Sequence, residues 1–327
     1  MKYILLSLVA LFLVSSCTRQ PQNVILNGFA QGSTYHIVIA QDTTAGIMFS
    51  IDSLINRIDK SLSIYNSSSL LSKVNANQTD SLDEHLVCCL HRAQEISRLT
   101  DGMFDITVMP LVKAFGFGAE GATQSPNVDS LLQFVGYEKI SIEGDRLVKS
   151  DPRVQLDLNA IAQGYTVDKL AALFDHYGIE NYLIELGGEI YAKGEKPSGK
   201  SWIVGIDSPQ EGNYIPGNDL IIKLKMKNRG LATSGNYRKF YTDSEGRKIV
   251  HTINPKTGEP VVSSLLSATV IACDATMADA LGTYFMVVGL EAAKRFLADN
   301  PEIDALLVYD QDGEFKTFRT PNLAVVE

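Results

Sequence analysis

The chain has 327 residues, with 29 lysine and arginine residues against 38 aspartate and glutamate residues, and therefore a formal net charge of −9. The sequence is acidic overall and contains no cluster of basic residues. These two features exclude a typical nucleic-acid-binding protein. The length is sufficient for a large hydrophobic core in one domain or in two closely packed domains.

The N-terminal segment has the pattern of an export signal. Lys2 supplies a positive charge, and the apolar run "YILLSLVALFLV" that follows is too short to span a bilayer. Small residues precede Cys17, as in the lipobox of bacterial lipoproteins, where the cysteine becomes the lipidated N-terminus. A plain secretory signal with a chance cysteine is the alternative. The pattern predicts a signal peptide over 1–16, a lipid-anchored tether over 17–24 and a folded domain over 25–327. We therefore expect a protein of the bacterial cell envelope, anchored to a membrane and facing the periplasm or the exterior.

The remaining cysteines indicate neither a disulfide framework nor a metal site. They are Cys88, Cys89 and Cys273, and no CxxC or Cys/His ligand spacing occurs. Adjacent cysteines rarely bridge each other, so we expect three free and buried thiols. A disulfide of Cys273 is an unsupported alternative.

In the first half of the chain, hydrophobic periodicity predicts a strand, two helices and a hairpin. "STYHIVIA" alternates as a strand does, and "TAGIMFSIDSLINRIDKSLSIY" has helical spacing. A second amphipathic helix follows in "SLDEHLVCCLHRAQEISRLTDG", where Ser81 and Glu84 form a predicted capping box and Gly102 ends the helix. "ISIEGDRLVKS" is predicted to be a hairpin that turns at Gly144–Asp145.

The second half is richer in strands. "LDLNAIAQGYTVDKLAALFDHYG" begins like a strand and becomes a helix that ends at Gly178, and Gly187–Gly188 divides the next extended segment. Further strands are predicted in "SWIVGID", "DLIIKLKMKNRGLATSG", "RKIVHTIN" and "SSLLSATVIA". A helix in "CDATMADALGTYF" and a final hairpin at Asp312–Gly313 complete the chain. The prediction is an α+β fold with much antiparallel sheet and three or four long helices.

The helix in "CDATMADALGTYF" carries an acid and a hydroxyl on one face. Asp279 and Thr283 are four residues apart, so their side chains point the same way. Mg²⁺ is typically bound by one or two carboxylates together with other oxygen ligands. The alternative is that Thr283 bonds back to its own helix and Asp279 is solvated on a surface face. Asp274 precedes the helix and is the predicted N-cap.

The segment "LDLNAIAQGYTVDKL" has polar residues at a strand-to-helix junction. Asp157 and Asn159 lie at the junction, and helix N-termini of this kind favour phosphate groups. Small residues follow that let a backbone or ligand approach closely: Ala160, Ala162 and Gly164. No GxGxxG or Walker sequence is present, so neither a Rossmann nor a P-loop site is indicated. A tightly packed junction capped by Asp157 is the alternative, and Asp168 is expected to be an exposed helical charge.

Two further segments place a single polar residue in an unusual position. Asp105 lies within the apolar stretch "GMFDITVMPLVKAFGFG" and needs a partner, because an unpaired buried charge is costly. Neighbouring aromatic residues and glycines suit a flat ring, although a core segment with one capping aspartate is also compatible. His251 lies on the strand that enters the turn "NPKTG", where it is either structural or catalytic.

Seven segments of the chain share a characteristic order and spacing: "SIYNSSSLLSKVNAN", "FDITVMPLVKAFGFG", "LDLNAIAQGYTVDKL", "LIELGGEIYAKG", "LATSGNYRKFY", "HTINPKTGEP" and "SATVIACDATMADALGTYF". Together they resemble the ApbE family of FAD:protein FMN transferases, over nearly all of the chain after the tether. The resemblance implies an α+β, T-fold-like architecture, with mostly antiparallel sheet packed against long helices and an FAD cleft. It also implies Mg²⁺-dependent transfer of the FMN moiety of FAD to a threonine or serine hydroxyl of a target protein, which releases AMP. The family is commonly a periplasmic lipoprotein, in agreement with Cys17.

The resemblance also implies roles for individual residues. Asp279 and Thr283 match side-chain ligands of Mg²⁺, and Ala160 matches a position that binds the metal through its backbone carbonyl. His251 matches the family's histidine and is, with Asp279, a candidate catalytic residue that activates the incoming hydroxyl or orients the diphosphate. The positions that match flavin contacts are Gln31, Tyr65, Phe104, Asp105, Asp157, Gln163 and Ile253. Relatives often carry Met in place of Gln31, and Lys or Glu in place of Gln163.

Two other activities are compatible with the same residues. The first is a Mg²⁺-dependent FAD pyrophosphatase that gives FMN and AMP, with water in place of the threonine. The second is a lipoprotein that binds FAD without chemistry, although the presence of Asp279, Thr283 and His251 disfavours it. For a transferase, the family implies an acceptor protein that is a respiratory or electron-transfer subunit.

Overall fold

The computed structural model describes residues 23–40, 46–117, 126–210, 217–236, 240–242 and 248–326. The strands are β1 (Val24–Ala30), β2 (Ser33–Ile39), β3 (Ile140–Glu143), β4 (Arg146–Lys149), β5 (Tyr182–Leu186), β6 (Glu189–Lys193), β7 (Trp202–Asp207), β8 (Leu220–Met226), β9 (Arg229–Gly235), β10 (Phe240–Thr242), β11 (Lys248–Val250), β12 (Leu265–Ala272), β13 (Asp304–Gln311) and β14 (Glu314–Arg319). The α-helices are α1 (Ile47–Leu62), α2 (Leu70–Asn75), α3 (Glu84–Leu99), α4 (Met109–Ala114), α5 (Val128–Leu132), α6 (Ala162–His176), α7 (Ala275–Val288) and α8 (Leu290–Asp299). None of the helices described here is long and apolar enough to cross a membrane.

Eight strands form one sheet, in the order β1-β2-β5-β6-β9-β12-β13-β14. Neighbouring strands in this sheet are antiparallel. Three hairpin-like pairs lie outside it, formed by β3 with β4, β7 with β8 and β10 with β11. The predicted α+β organisation with mostly antiparallel sheet is therefore confirmed.

The large sheet is covered on both faces. The helices lie on one face, where the alternate side chains of Ile37 and Ile39 enter the main core with those of α1, α3, α6 and α7. The β7–β8 hairpin covers the other face, and Trp202 packs there in a second, smaller core. Within β13, Leu307 faces the main core while Leu306 and Val308 face the second core. Alternation along single strands thus explains why several of them are apolar throughout.

Several predicted turns and helix ends are confirmed. Hairpins turn at Gly144–Asp145 and at Asp312–Gly313, and the left-handed Gly187 and Gly188 separate β5 from β6. Asp274 caps α7, because its carboxylate accepts the Met277 N–H at 2.7 Å. Four of the described helices have 14 to 16 residues, which agrees with the predicted three or four long helices, and the ten-residue helix α8 was not anticipated.

Three details differ from the predictions. The N-cap of α3 is Asp83 rather than Ser81, because the Asp83 carboxylate accepts the Leu86 N–H at 2.9 Å. Cys273 is exposed, whereas Cys89 is buried and Cys88 half-buried; all three are free thiols. Strand β1 begins at Val24, one residue inside the predicted tether, and Cys17 lies outside the described residues.

Candidate active site

A cavity of about 340 Å³ opens on the helical side of the sheet. Its walls come from segments that are distant in sequence, and the large sheet and helix α7 bring them together. Among the described residues, the lining includes Tyr65, Phe104, Asp105, Asp157, Ala160, Gln163, Glu189, His251, Ile253, Asp279 and Thr283.

Asp279 is a buried residue of the cavity lining. Its side chain is 6% exposed, and one carboxylate oxygen accepts the Gly164 N–H at 3.1 Å. Burial, and secondarily the charge of Asp168, raises the pKa of Asp279 to about 7. The alternative of a solvated surface aspartate is therefore wrong. A cation beside this buried carboxylate would stabilise its charged form, because the positive charge offsets the lost hydration of the carboxylate.

The oxygen atoms around Asp279 suit a magnesium ion. Thr283 lies one helical turn further along α7, and Ala160 lies at the junction before α6; both line the same cavity. A carboxylate, a hydroxyl and a backbone carbonyl are hard ligands of the kind that Mg²⁺ prefers. The described residues contain no group of three or more His, Cys, Asp and Glu side chains that could hold a metal.

Helices α6 and α7 are in contact through their backbones at this wall. A Cβ atom on Gly164 would overlap the Ala275 carbonyl oxygen and lie 2.9 Å from the Asp279 Cβ. On the other side of α7, a Cβ atom on Gly282 would lie 2.8 Å from the hydroxyl of Ser234 in β9. Of the small residues noted at the junction, Gly164 allows α6 to contact α7 closely, whereas Ala160 lines the cavity.

Asp168 is not the exposed charge that helical periodicity predicts. It is partly buried, and its carboxylate accepts the N–H groups of Ala275 at 2.9 Å and Thr276 at 2.8 Å, as well as the Thr276 hydroxyl. Burial, followed by the nearby charge of Asp274, raises the pKa of Asp168 to about 6.

Asp105 has the partners that its burial requires. Its carboxylate accepts the Thr107 N–H at 2.8 Å, the Thr107 hydroxyl at 2.6 Å and the Tyr137 N–H at 2.7 Å. Burial raises the pKa of Asp105, and these hydrogen bonds act in the opposite direction. Phe104, 2% exposed, lies beside it, so the segment presents an apolar ring and a fixed carboxylate to the cavity.

Asp157 forms hydrogen bonds with two other residues of the cavity wall, Ile106 and Asn159. Its backbone N–H donates to the Ile106 carbonyl at 2.7 Å, and its carboxylate accepts the Asn159 N–H at 2.9 Å. The Asn159 amide in turn donates to the Tyr65 hydroxyl at 3.2 Å. Tyr65 is 65% exposed, which places this large ring at the mouth of the cavity.

The glycine turn between β5 and β6 lies against the same cavity. A Cβ atom on Gly187 would lie 2.5 Å from the Gln163 side-chain nitrogen and 3.1 Å from a Glu189 carboxylate oxygen. Glu189 is 7% exposed and lines the cavity, although the sequence did not single it out. A carboxylate directly after two glycines and within an apolar strand is the feature that marks it.

His251 and aromatic side chains form another part of the cavity lining. His251 is half-buried and follows β11, and its ring centroid lies 6.2 Å from that of Phe117 in an edge-on arrangement. Phe117 in turn lies 5.6 Å from the ring of Tyr241, whose hydroxyl donates to the Phe115 carbonyl. Ile253, 5% exposed, continues this side into the interior.

The cavity therefore brings together ten of the predicted site residues, from Tyr65 to Thr283. Gln31 is not among its described lining residues. It lies in the β1–β2 turn with a φ of 51°, and its amide donates to the Thr166 hydroxyl at 2.7 Å. The specific ligand contacts assigned to these residues stay predictions.

Known proteins resemble this chain over nearly its whole length. A relative from Vibrio cholerae serotype O1, named FAD:protein FMN transferase, is 31% identical over 325 residues, which cover 96% of this chain and 96% of the relative. A relative of the same name from Escherichia coli K12 is 30% identical and covers 95% of this chain and 93% of its own length.

Solved structures agree with these matches. The flavin transferase ApbE from Vibrio cholerae superposes with a TM-score of 0.81 at 30% identity, over 92% of this chain and 97% of that one. The apo flavinyl transferase ApbE from Pseudomonas stutzeri gives a TM-score of 0.82 at 30% identity, over 92% and 95% of the two chains. These matches confirm the predicted architecture, and the sequence model of the ApbE family matches residues 31–307. The chain belongs to the ApbE family.

Proposed function

We propose that this chain is an FAD:protein FMN transferase. The acceptor hydroxyl of a threonine or serine attacks the FMN phosphorus of FAD, the bond between the two phosphates breaks, and AMP leaves. The product is a phosphoester between FMN and the acceptor protein. The observation that carries the proposal is the meeting of Asp279, Thr283 and His251 in one cavity whose remaining lining includes fixed apolar rings.

We infer that Mg²⁺ is the resident metal and that three residues hold it. Asp279 would supply its carboxylate, Thr283 its hydroxyl and Ala160 its carbonyl, all from residues that line the cavity. When bound, the ion supplies charge neutralisation at the diphosphate. The Gly164 N–H keeps the Asp279 carboxylate oriented through its 3.1 Å hydrogen bond.

His251 is proposed to take the proton of the acceptor hydroxyl. It lies at the half-buried mouth of the cavity, where an acceptor side chain must enter. Its ring is packed edge-on against Phe117, which limits its rotation. A histidine side chain held in this way can act as a general base toward a hydroxyl.

The remaining lining residues suit the flavin. Phe104 and Ile253 give buried apolar surface, and Tyr65 gives an exposed ring at the mouth. Flat aromatic ligands bind well between such side chains, while a few fixed polar groups set their orientation. Asp105 and Asp157, whose backbone partners hold them in place, would supply that orientation.

One assay separates transfer from the two alternative activities. The purified protein is incubated with FAD, Mg²⁺ and an acceptor protein that has a flavinylation site, and the products are resolved by gel fluorescence and chromatography. Fluorescence on the acceptor together with release of AMP is the expected result. Free FMN without labelled acceptor would indicate a pyrophosphatase, and intact FAD would indicate a binding protein. Omitting Mg²⁺ and replacing the acceptor threonine by alanine are the two controls.

We also propose that the protein is lipid-anchored through Cys17 in the cell envelope. The support is the order of positive charge, apolar run, small residues and cysteine in the sequence. Anchoring would hold the enzyme near membrane-bound acceptors, which we infer to be respiratory or electron-transfer subunits. Mass spectrometry of the N-terminal peptide should find a lipidated Cys17, and Cys17→Ser should move the protein to the soluble fraction. A membrane-bound, unmodified Cys17→Ser protein would contradict lipid anchoring.

A further inference from the structure

The N-terminus of α7 is held by a side chain from another helix. Asp168 of α6 accepts the N–H groups of Ala275 and Thr276 and the Thr276 hydroxyl. The first turn of an α-helix has free N–H groups, which usually find partners in the residue before the helix or in water. Of the N–H groups in the first turn, Asp274 accepts only that of Met277. Those of Ala275 and Thr276 therefore depend on Asp168.

A second hydrogen bond crosses the same helix pair in the opposite direction. The Gly164 N–H of α6 donates to the Asp279 carboxylate of α7 at 3.1 Å. On α6 the two contact residues, Gly164 and Asp168, are four positions apart, which is about one turn. On α7 the contact at Ala275 and the contact at Asp279 are also four positions apart. Two contacts that are one turn apart on each helix fix the axial position and the rotation of one helix relative to the other. A single contact would not fix both.

These two hydrogen-bonded contacts join the two elements that carry the proposed metal ligands. Ala160 lies just before α6, whereas Asp279 and Thr283 lie on α7. Their separation therefore depends on how α7 sits against α6. The close approach of the backbones at Gly164 allows the helices to touch. The hydrogen bonds to backbone N–H groups further restrict how the two helices align, because hydrogen bonds depend strongly on distance and angle.

Other charged groups near the helix end have different partners. Asp274 caps α7 and also accepts from Arg92 at 2.7 Å, which ties the loop before α7 to α3. Arg92 is shared with Glu95 on its own helix. Asp168 is thus the acidic residue that joins α6 to the first turn of α7.

We propose that Asp168 is a positioning residue for the metal site: it sets α7 against α6 so that Asp279 and Thr283 face Ala160. It does not touch the metal or the substrate. The inference rests on the proposed Mg²⁺ site, but it concerns binding of the metal and makes no use of the acceptor protein or of catalysis.

The test is direct metal binding by Asp168 variants of the full chain. Mn²⁺, a spectroscopic substitute for Mg²⁺, is titrated into metal-free protein and followed by electron paramagnetic resonance. We expect Asp168→Ala to weaken Mn²⁺ binding about 10- to 100-fold, as residues that orient metal ligands commonly do. Asp168→Asn, which keeps one oxygen acceptor, should lose less. In steady-state assays the KM for Mg²⁺ should rise while kcat at saturating Mg²⁺ changes little.

A matched variant separates positioning from general destabilisation. Asp175 is on the same helix, where it accepts from Lys193 and from the Tyr182 hydroxyl away from the cavity. Asp175→Asn should lower the melting temperature without changing the Mn²⁺ affinity. Near-UV circular dichroism verifies the fold of each variant, and Asp168→Asn carries the test if Asp168→Ala does not fold.

The outcomes distinguish this inference from the proposed function. Wild-type Mn²⁺ affinity in folded Asp168→Asn and Asp168→Ala would overturn the positioning role and leave the metal site intact. An equal loss of affinity in Asp175→Asn would overturn it as well, since any weakening of α6 would then suffice. If the wild-type chain itself binds no Mn²⁺, the proposed metal site is wrong, and the positioning role is overturned with it. Failure of acceptor labelling with normal Mn²⁺ binding would contradict only the transferase proposal.

Discussion

The two sides of the cavity are built in different ways. The metal wall consists of Ala160, Asp279 and Thr283, and the mouth consists of Tyr65, Phe117 and His251. In the metal wall, backbone hydrogen bonds and close helix contacts hold the key side chain, and Asp279 is 6% exposed. At the mouth, the ring of Phe117 lies 5.6 Å from that of Tyr241 and 6.2 Å from that of His251, and Tyr65 is 65% exposed.

The contrast fits the two tasks of the proposed reaction. A magnesium site needs oxygen atoms at fixed positions, because this ion demands near-ideal geometry. The mouth must admit a segment of another protein, which requires accessible surface and some freedom of movement. We therefore expect the metal wall to tolerate almost no substitution and the mouth to tolerate conservative ones.

The largest effect is expected from Asp279→Ala. Removing the one acidic ligand of the proposed site should abolish Mg²⁺ binding and lower acceptor labelling by about three orders of magnitude, because a bound metal contributes several kcal/mol to catalysis. Gel fluorescence at several Mg²⁺ concentrations measures both effects. Asp299→Ala, an exposed carboxylate at the end of α8, is the control and should retain wild-type activity. An active Asp279→Ala protein with an unchanged metal requirement would show that the metal wall is misassigned.

The next largest effect is expected from His251→Ala. Loss of a general base commonly lowers the rate about 10²- to 10⁴-fold, whereas FAD binding should change little because the buried side of the cavity is intact. Stopped-flow labelling and FAD fluorescence titration measure the two properties separately. His91→Ala, on the exposed face of α3, is the matched control. A parallel loss of rate and FAD affinity would mean that His251 orients the diphosphate rather than taking a proton.

Gly164→Ala tests the close helix contact behind the metal wall. The added methyl group would overlap the Ala275 carbonyl oxygen, so α7 must shift or the variant loses stability. We expect the free energy of unfolding to fall by about 1–3 kcal/mol, as for other overpacked sites, together with weaker Mn²⁺ binding. Urea denaturation and Mn²⁺ titration give the two values. Gly313→Ala is the control, because a Cβ atom added there would have no atom beyond its chain neighbours within 4 Å. Its φ of 82° should lower stability, but metal binding should not change.

Local chemistry made much of the fold predictable. The turn at Asp312–Gly313, the divided strand at Gly187–Gly188 and the cap at Asp274 are each encoded within a few residues, and each is present. The cap of α3 was misplaced by two residues because two acceptors, Ser81 and Asp83, compete near the helix start. The Asp83 carboxylate accepts the Leu86 N–H, and the Ser61 hydroxyl donates to the same oxygen.

The metal wall was less predictable from its own residues. From the sequence alone, Asp279 could be solvated on a surface face, yet it is 6% exposed and α7 is buried on nearly all sides. Asp168 likewise has the pattern of an exposed charge, and its partners lie 107 and 108 positions away. Periodicity describes one helix at a time and carries no information on which other helix end will meet it. The family resemblance identified Asp279, but Asp168 emerged only from the packed structure.

The smallest effect is expected at the mouth, from Phe117→Leu. This change removes the ring contacts to His251 and Tyr241 but keeps an apolar side chain on the cavity wall. Aromatic pairs contribute about 0.5–1.5 kcal/mol each, so the labelling rate should fall about tenfold or less, with Mn²⁺ affinity unchanged. Phe315→Leu, an exposed ring on β14, is the control and should have no effect. The exposed mouth should tolerate the loss of one ring better than the metal wall tolerates substitution. If Phe117→Leu were as damaging as His251→Ala, this difference between the two sides would not hold.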